Sequence, residues 1–297
     1  MKRRDFLAAS AMTLAAASVA SAAPADGGAD RTMAVFTKFL EKVPADELGR
    51  RLAELGIRAI EAPIRRGGHI EPHEAPDKLP AFVDALKKHD VEVAILTSDI
   101  GKADPAAEAL LKTAAKLGIH RYRLTHYRYD LKKSIPAQLA EIRARLVDLA
   151  AMNRAIGVQG QYQNHRGADF VGAPIWDILG ALEGIDVAEI GLAFDFAHAT
   201  VEGANAWELN LRRAAPQIAA VYFKDYRLDG RTWNACPLGE GAVNPKSGSL
   251  MKSLLPATTP ISIHIEYIGG DGEARVKATL DAMKKDLTTL RGWLQDR

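Results

Sequence analysis

Residues 190–203 read IGLAFDFAHATVEG, an apolar run that leads into an aspartate, a histidine and a glycine. The run up to Phe194 contains no polar residue, which is typical of a short strand buried on both faces. Asp195 ends this strand and His198 lies in the following turn. Parallel α/β proteins carry their chemistry at the carboxyl ends of their strands, so the stretch predicts a polar site there. The alternative is that Asp195 only caps the next helix and His198 is a satisfied loop histidine.

Apolar runs that alternate with helical patterns predict eight parallel strands. Candidate strands begin near Ala34, Ile57, Val91, Ile119, Val158, Ile190, Ile218 and Ile261. A single-domain α/β fold, the (β/α)8 TIM barrel, takes about 250 residues, which the 297-residue chain supplies. An open doubly wound sheet is disfavoured because no glycine-rich phosphate loop follows the first strand. Residues 226–249 are predicted to form a long loop after the seventh strand.

The start of the chain has the pattern of an export signal. A basic start (MKRR) precedes an apolar, alanine-rich run, and residues 20–22 (ASA) form a small-residue cleavage pattern. The arginine pair followed by Phe6 and Leu7 resembles a twin-arginine signal, which predicts a periplasmic or otherwise exported protein. An ordinary secretory signal or a lipid-free anchor is the alternative. The predicted parts are an export signal in residues 1–22, a flexible linker in 23–30 and the barrel in 31–297.

Charge and cysteine content exclude several classes of partner. The chain has 39 lysines and arginines against 37 aspartates and glutamates, and removing residues 1–22 leaves 36 of each sign. A mature chain without net charge predicts no nucleic-acid partner, and signal removal leaves no stable membrane anchor. Cys236 is the single cysteine in the sequence, so no internal disulfide can form.

Histidines concentrate at the ends of the predicted strands. Five of the eight lie in or just after the ends of five different strands. These five are His69, His126, His165, His198 and His264. Histidines with purely structural roles would be scattered, so this distribution predicts a polar site at one end of the barrel.

Two strand ends offer candidates for binding a substrate. Arg65 and His69 flank two glycines after the second strand, where backbone can approach a ligand and an arginine suits a carboxylate, phosphate or hydroxyl. A simple surface turn is the alternative. The fifth strand (GVQGQYQNHRG) has one face formed by Gln159, Gln161, Gln163 and His165, which predicts a wet cavity mouth. An edge strand with a solvated face is the alternative.

The seventh and eighth strands carry charged residues in apolar surroundings. Lys224 ends the seventh strand on the same face as Tyr222, and a buried lysine predicts a carboxylate or an anionic substrate nearby. Glu266 shares a face with His264 in the sequence ISIHIEY, framed by isoleucines. A carboxylate in such an apolar strand predicts a functional acid.

Together these stretches resemble the xylose isomerase-like TIM-barrel family of sugar phosphate isomerases and epimerases. The matching stretches are Gln163-Asn164-His165, Asp195-x-x-His198, Lys224-Asp225, Leu238-Gly239-Glu240-Gly241 and His264-x-Glu266-Tyr267. The resemblance covers the chain from about Thr32 to its end. It implies a divalent metal held by Glu, Asp, His and Glu from strands five to eight, with two glutamates moving a proton between adjacent carbons.

The sequence departs from this ligand set at two positions. Gln163 stands where the first glutamate is expected, and Tyr222 stands where the histidine is expected. Tyrosine is a poor ligand unless ionised, and its ordinary pKa is about 10. Three possibilities stay open. They are a weakened Mn, Mg or Zn site on Asp195, Glu266 and Gln163, a relocated site on His165, His198 or His264, and loss of the metal.

The resemblance implies an enzyme that abstracts a proton beside the carbonyl of a sugar or keto-sugar, by isomerisation, epimerisation or β-elimination. The expected catalytic residues are Glu266 as principal acid and base, His165 as second proton carrier and Lys224 as stabiliser of the enolate. The expected substrate-binding residues are Arg65, His69, Gln163, His198, Tyr222, Arg227 and His264. A catalytically degenerate sugar-binding barrel is the alternative. An abasic-DNA endonuclease is disfavoured by the neutral mature charge and the export signal.

Overall fold

The computed structural model describes residues 31–295 and contains a closed barrel of eight parallel strands, as the sequence predicts. The strands, in chain order, are β1 (Met33–Phe36), β2 (Ala59–Pro63), β3 (Glu92–Thr97), β4 (Arg121–Arg123), β5 (Gln159–Gln163), β6 (Ile190–Asp195), β7 (Ile218–Phe223), β8 (Asp225–Asp229), β9 (Thr232–Cys236) and β10 (Ile261–Ile263). All but β8 and β9 belong to the barrel, which closes where β1 pairs with β10. The predicted signal (1–22) and linker (23–30) lie outside the described residues.

Helices connect the barrel strands and cover their outer faces. They are α1 (Ala45–Glu54), α2 (Ala75–Lys87), α3 (Pro105–Lys116), α4 (Ile135–Ile156), α5 (Trp176–Ala181), α6 (Phe196–Gly203), α7 (Trp207–Ala214), α8 (Pro245–Leu254) and α9 (Gly272–Gln295). The apolar face of α2 packs inward, so Leu79, Phe82, Val83 and Leu86 are buried. Within residues 31–295, no helix combines the length and apolar content needed to cross a bilayer.

The ends of the helices follow ordinary capping rules. Asp104 caps α3 by accepting a hydrogen bond from the Ala107 amide at 2.9 Å. Asp195 caps α6 in the same way, through the amide of His198 at 3.0 Å. After α4, Gly157 has a φ of 81°, a left-handed conformation that glycine adopts without strain. Asp195 therefore caps α6, as the alternative interpretation of this residue expected. The second carboxylate oxygen of Asp195, Oδ2, takes no part in the cap and faces the barrel end.

The segment after β7 differs from the predicted long loop. Residues 225–236 form an antiparallel hairpin of β8 and β9, and α8 begins at Pro245. The hairpin turns at Gly230, whose φ of 58° suits the tight turn that an Asp-Gly pair favours. Asn244 caps α8 by accepting from the Lys246 amide at 3.1 Å. The predicted long loop is therefore wrong. The Asp229-Gly230 pair indicates a hairpin turn, and Asn244 before Pro245 indicates the start of a helix.

The carboxylate of Asp225 organises the segment that follows this hairpin. Its Oδ1 accepts from the amides of Tyr226 at 2.8 Å and Val243 at 3.0 Å. Its Oδ2 accepts from the amides of Gly239 and Gly241, each at 2.9 Å. A Cβ at Gly241 would lie 2.4 Å from the carbonyl oxygen of Tyr226, so only glycine fits there. Asp225 thus fixes the Gly239–Gly241 turn beside the barrel end.

We expect Asp225→Asn to lower the free energy of unfolding by about 2–4 kcal/mol, because the new amide group would face two backbone donors on one side. Urea denaturation of the folded protein measures this change. The matched control is Asp229→Asn, which alters an exposed aspartate at the other end of β8. Equal unfolding midpoints for the two variants would contradict the role assigned to Asp225.

Candidate functional site

Polar and charged side chains from most of the barrel strands meet at the carboxyl ends of those strands. They include Glu61 on β2, Thr97 on β3, Arg123 on β4, Gln163 on β5, Asp195 on β6, Lys224 after β7, and His264 and Glu266 after β10. Parallel strands end on one side of a barrel, which places these groups together. The candidate site of this protein is this end of the barrel.

Lys224 lies between two carboxylates. Its Nζ is 3.2 Å from Oδ2 of Asp195 and 3.4 Å from Oε2 of Glu266. Glu266 has two further partners: Lys38, with Nζ 3.7 Å from Oε1, and the Tyr226 hydroxyl, which donates to Oε2 at 3.2 Å. Lys224 therefore has the carboxylate partners that a buried ammonium requires.

The charges of this cluster support one another. Burial lowers the pKa of Lys224, but the Asp195 and Glu266 carboxylates outweigh it and raise that pKa above its ordinary value. Burial raises the pKa of Glu266, but the ammonium groups of Lys224 and Lys38 more than offset it and hold that pKa well below its ordinary value. At neutral pH, Lys224 is consequently protonated and Glu266 is ionised.

Gln163 links Asp195 to the interior of the barrel. Its Nε2 donates to Oδ2 of Asp195 at 2.7 Å, and its Oε1 accepts a hydrogen bond from the Arg123 guanidinium. The orientation of the amide is fixed, because an arginine can only donate and an ionised carboxylate can only accept. Both ends of the Gln163 amide are therefore engaged by protein groups.

A buried ion pair lies beneath this layer. Glu61 is fully buried, and its carboxylate contacts Nε of Arg123 at 3.0 Å. Ser262 donates to the same carboxylate at 2.6 Å, His264 lies 2.9 Å from it through Nε2, and the Thr97 hydroxyl also donates to it. Burial raises the pKa of Glu61, but His264 and Arg123 hold it well below its ordinary value. Glu61 is an ionised carboxylate whose partners come from three other strands, β3, β4 and β10.

Sequence analysis missed Glu61, Arg123, Lys38 and Tyr226. Glu61 carried a usable signal, because the sequence AIEAP places a carboxylate in an apolar strand, which was the criterion applied to Glu266. The pairing of Arg123 with Glu61 had no comparable signal, since it depends on how far the strands are staggered around the barrel.

Three histidines with tilted, contacting rings form a group on the side of Asp195. The ring of His165 lies 4.0 Å from that of His198 and 4.7 Å from that of His126, measured between centroids. Burial, followed by the charge of Lys224, lowers the pKa of His165 to about 4. Burial also lowers the pKa values of His126 and His198 well below their ordinary range. All three imidazoles are neutral at pH 7.

The tautomer of His165 follows from its hydrogen bond. Its Nδ1 lies 2.8 Å from the carbonyl oxygen of Arg166, which can only accept, so Nδ1 carries the proton. The lone pair of the ring is therefore on Nε2. His165 presents a neutral proton acceptor, whereas neither ring nitrogen of the buried His198 has a hydrogen-bond partner among the described residues.

The other candidate binding residues are placed differently. His69 Nε2 lies 2.8 Å from the Thr37 hydroxyl, and the Arg65 guanidinium lies 5.6 Å from the centre of the Phe36 ring. Within residues 31–295, Arg65 has no carboxylate oxygen within 4.0 Å of its nitrogens. Arg227 is exposed on the hairpin strand β8, outside the polar cluster of the barrel end.

Tyr222 and His264 point into the barrel interior rather than toward its opening. The Tyr222 ring packs 4.6 Å from the His264 ring, and both residues are buried. Burial, followed by the charge of Glu61, raises the pKa of Tyr222 well above its ordinary value. The phenol therefore stays neutral, which makes it a poor ligand for a divalent ion.

The residues at this end of the barrel do not fit a divalent metal as they are arranged. The Lys224 ammonium lies between Asp195 and Glu266, and the oxygen of Gln163 faces Arg123. Within the described part of the chain, no group of three or more His, Cys, Asp or Glu side chains could hold a metal ion.

Several solved structures share this fold. A probable 3-DHS dehydratase from Bacillus anthracis is 14% identical with a TM-score of 0.65, over 88% of this chain and 98% of that chain. The 3-keto-D-glucoside 4-epimerase from E. coli is 13% identical with a TM-score of 0.64, over 89% of this chain and 100% of that chain. A xylose isomerase-like TIM barrel protein from Mycobacterium smegmatis, crystallised in complex with magnesium, is 15% identical with a TM-score of 0.63, over 89% and 96% of the two chains.

These likenesses show the fold alone at such low identity. No curated protein sequence matches the chain. A family model provides the direct link, since the model described as xylose isomerase-like TIM barrel matches residues 50–286. The chain therefore belongs to the xylose isomerase-like TIM-barrel family.

Proposed function

We propose that the protein is an enzyme that abstracts a proton from the carbon beside the carbonyl of a sugar or keto-sugar. The observation that carries the proposal is the position of Lys224 between Asp195 and Glu266 at the carboxyl end of the barrel. The structural neighbours named as an epimerase and a dehydratase support this reaction class. Epimerisation, isomerisation and β-elimination share the same first step.

Glu266 is the acid of the cluster that a substrate can contact. Its side chain is 21% exposed, whereas the side chains of Glu61 and Asp195 are 0% exposed. An ionised carboxylate at this position can accept the proton from carbon. The electron pair of the broken C–H bond moves to the carbonyl oxygen, and the Lys224 ammonium stabilises the resulting enolate by donating a hydrogen bond.

His165 supplies a second proton-transfer group. Its neutral ring offers Nε2 as a proton acceptor, so it can act on a carbon or oxygen that Glu266 does not contact. His198 is fully buried and packs against the ring of His165, whereas Arg65 is suited to substrate hydroxyl groups, because its guanidinium contacts the Phe36 ring and no carboxylate within the described residues. Asp195 and Gln163 position Lys224 rather than contact the substrate.

The proposed location of the protein favours one class of substrate. We propose that the segment read as a twin-arginine signal directs export. Outside the cytoplasm an unphosphorylated sugar is the expected substrate, because most sugar phosphates are cytoplasmic.

The alternative function is sugar binding without turnover. One observation favours it: two ammonium groups hold the pKa of Glu266 low, which weakens that carboxylate as a base.

Deuterium exchange separates these two functions. We expect the protein in D₂O to exchange the hydrogen beside the carbonyl of at least one keto-sugar from a panel, followed by proton NMR. Glu266→Gln should reduce that rate about 10²–10⁴-fold, because an amide cannot accept the proton. Glu54→Gln is the matched control, since Glu54 is exposed on α1 and pairs only with Arg50 in the described contacts. Full exchange by Glu266→Gln would contradict the assignment of Glu266 as the base. Sugar binding by the unmodified protein without exchange would favour the function of sugar binding without turnover.

The neutral histidines also make folding stability depend on pH. The folded-state pKa values of His69 and His165 are about 4, against an ordinary value of about 6.5, so the unfolded chain binds more protons in that window. Stability is therefore fully present above pH 6.5 and decreases as the pH falls toward 4. Each histidine contributes at most about 1.4 kcal/mol per pH unit to the slope.

Urea denaturation at several pH values between 7 and 4 measures this slope. The double variant His69→Asn with His165→Asn should make it shallower, while the buried His126 and His198 retain part of it. The matched control His73→Asn, which changes an exposed histidine, should leave the slope of the unmodified protein unaltered. An unchanged slope in the double variant would assign the acid sensitivity to other groups.

A further inference from the structure

Lys224 is the one cationic side chain in residues 31–295 that contacts both Asp195 and Glu266. Its Nζ is 3.2 Å and 3.4 Å from the two carboxylate oxygens, and its side chain is 4% exposed. A divalent ion that bridged the same oxygens would need to approach each of them to about 2.0–2.6 Å. Such an ion would overlap the ammonium, so the two exclude each other.

Both carboxylate oxygens of Asp195 also accept hydrogen bonds from other protein groups. Its Oδ1 accepts the His198 amide at 3.0 Å, and its Oδ2 accepts Nε2 of Gln163 at 2.7 Å. The amide of Gln163 turns its donor toward Asp195 and its acceptor toward Arg123. Gln163 therefore has no lone pair directed at the space beside Asp195, where a metal ion would require one.

The balance of charges in the cluster also disfavours a bound divalent ion. Two carboxylates, Asp195 and Glu266, face two ammonium groups, Lys224 and Lys38. The cluster thus has no excess negative charge to attract a dication. A second cation beside Lys224 would be repelled in a partly buried site, where such repulsion is stronger than in water.

We propose that Lys224 is a built-in cation that takes the place of a divalent metal at this barrel end, and that it binds one substrate oxygen. This inference rests on the proposed function for the identity of that oxygen, the carbonyl that becomes the enolate. An ammonium has three N–H donors, and two are used by Asp195 and Glu266. The third is left for the substrate.

The proposal has a consequence for the class of substrate. A metal ion can chelate two neighbouring oxygens, whereas the remaining donor of Lys224 binds one. Orientation of the rest of the sugar then depends on neutral groups such as His165, whose ring offers Nε2 as a hydrogen-bond acceptor. The proposal therefore predicts that a hydroxyl next to the reacting carbonyl is not required for binding to Lys224.

Metal binding tests the proposal without any need for turnover. Chelator-stripped protein is titrated with Mn²⁺ and the free ion is followed by electron paramagnetic resonance. We expect no stoichiometric binding by the unmodified protein. The double variant Gln163→Glu with Lys224→Met should bind one Mn²⁺ per chain, at least tenfold more tightly than the unmodified protein. The reason is that the variant adds a carboxylate and removes the ammonium.

Two controls make the result specific. Lys38→Met removes an ammonium that contacts Glu266 alone, and it should gain no Mn²⁺ site. Stoichiometric Mn²⁺ binding by the unmodified protein, lost in Glu266→Ala, would overturn the proposal. A folded double variant that binds no Mn²⁺ would also overturn it.

Circular dichroism reports whether the double variant folds. If the double variant does not fold, Lys224→Met alone is tested for the same gain in Mn²⁺ binding. The titration of the unmodified protein tests the proposal without any variant. The proposed function fails separately, through absence of deuterium exchange. Exchange that disappears after chelator treatment and returns with Mn²⁺ would contradict the built-in cation while leaving the reaction class intact.

Discussion

The buried ion pair between Glu61 and Arg123 is the interaction on which the barrel end depends. Arg123 orients the Gln163 amide, and that amide in turn donates to the Asp195 carboxylate that contacts Lys224. A buried charge left without its partner costs about 3–5 kcal/mol, so neither member of the pair can be lost alone without consequence. The reactive groups are therefore positioned from the inside of the barrel outward, rather than by the loops around its opening.

The environment sets two kinds of proton acceptor side by side. Glu266 is ionised because ammonium groups surround it, and His165 is neutral because burial and the same Lys224 disfavour its charged form. One lysine thus acts on both groups in a direction that keeps each of them deprotonated at neutral pH. Pairs of titratable groups whose environments differ in this way are a common basis for assigning acid and base roles.

The strands and the principal helices were predictable because burial imposes a period on the sequence. Lys224 and Glu266 were also accessible to sequence reasoning, since a charge in an apolar strand is costly and calls for a partner. The hairpin after β7 was missed although Asp229-Gly230 predicts a tight turn. The engagement of Gln163 by Arg123 depended on the stagger of strands around the barrel, which residue order alone does not determine.

The closing contact of the barrel also sets the order in which the site can form. Ser262 and His264 provide two partners of Glu61, and they follow it by more than two hundred positions in the chain (201 and 203 residues). Contacts between such distant parts of a sequence form late and slow the folding of a chain. A growing polypeptide consequently contains Glu61 long before the groups that neutralise and hydrogen-bond it. The candidate site is complete only when synthesis has passed the last strand, so partly synthesised chains hold the charge of Glu61 in water rather than in a core.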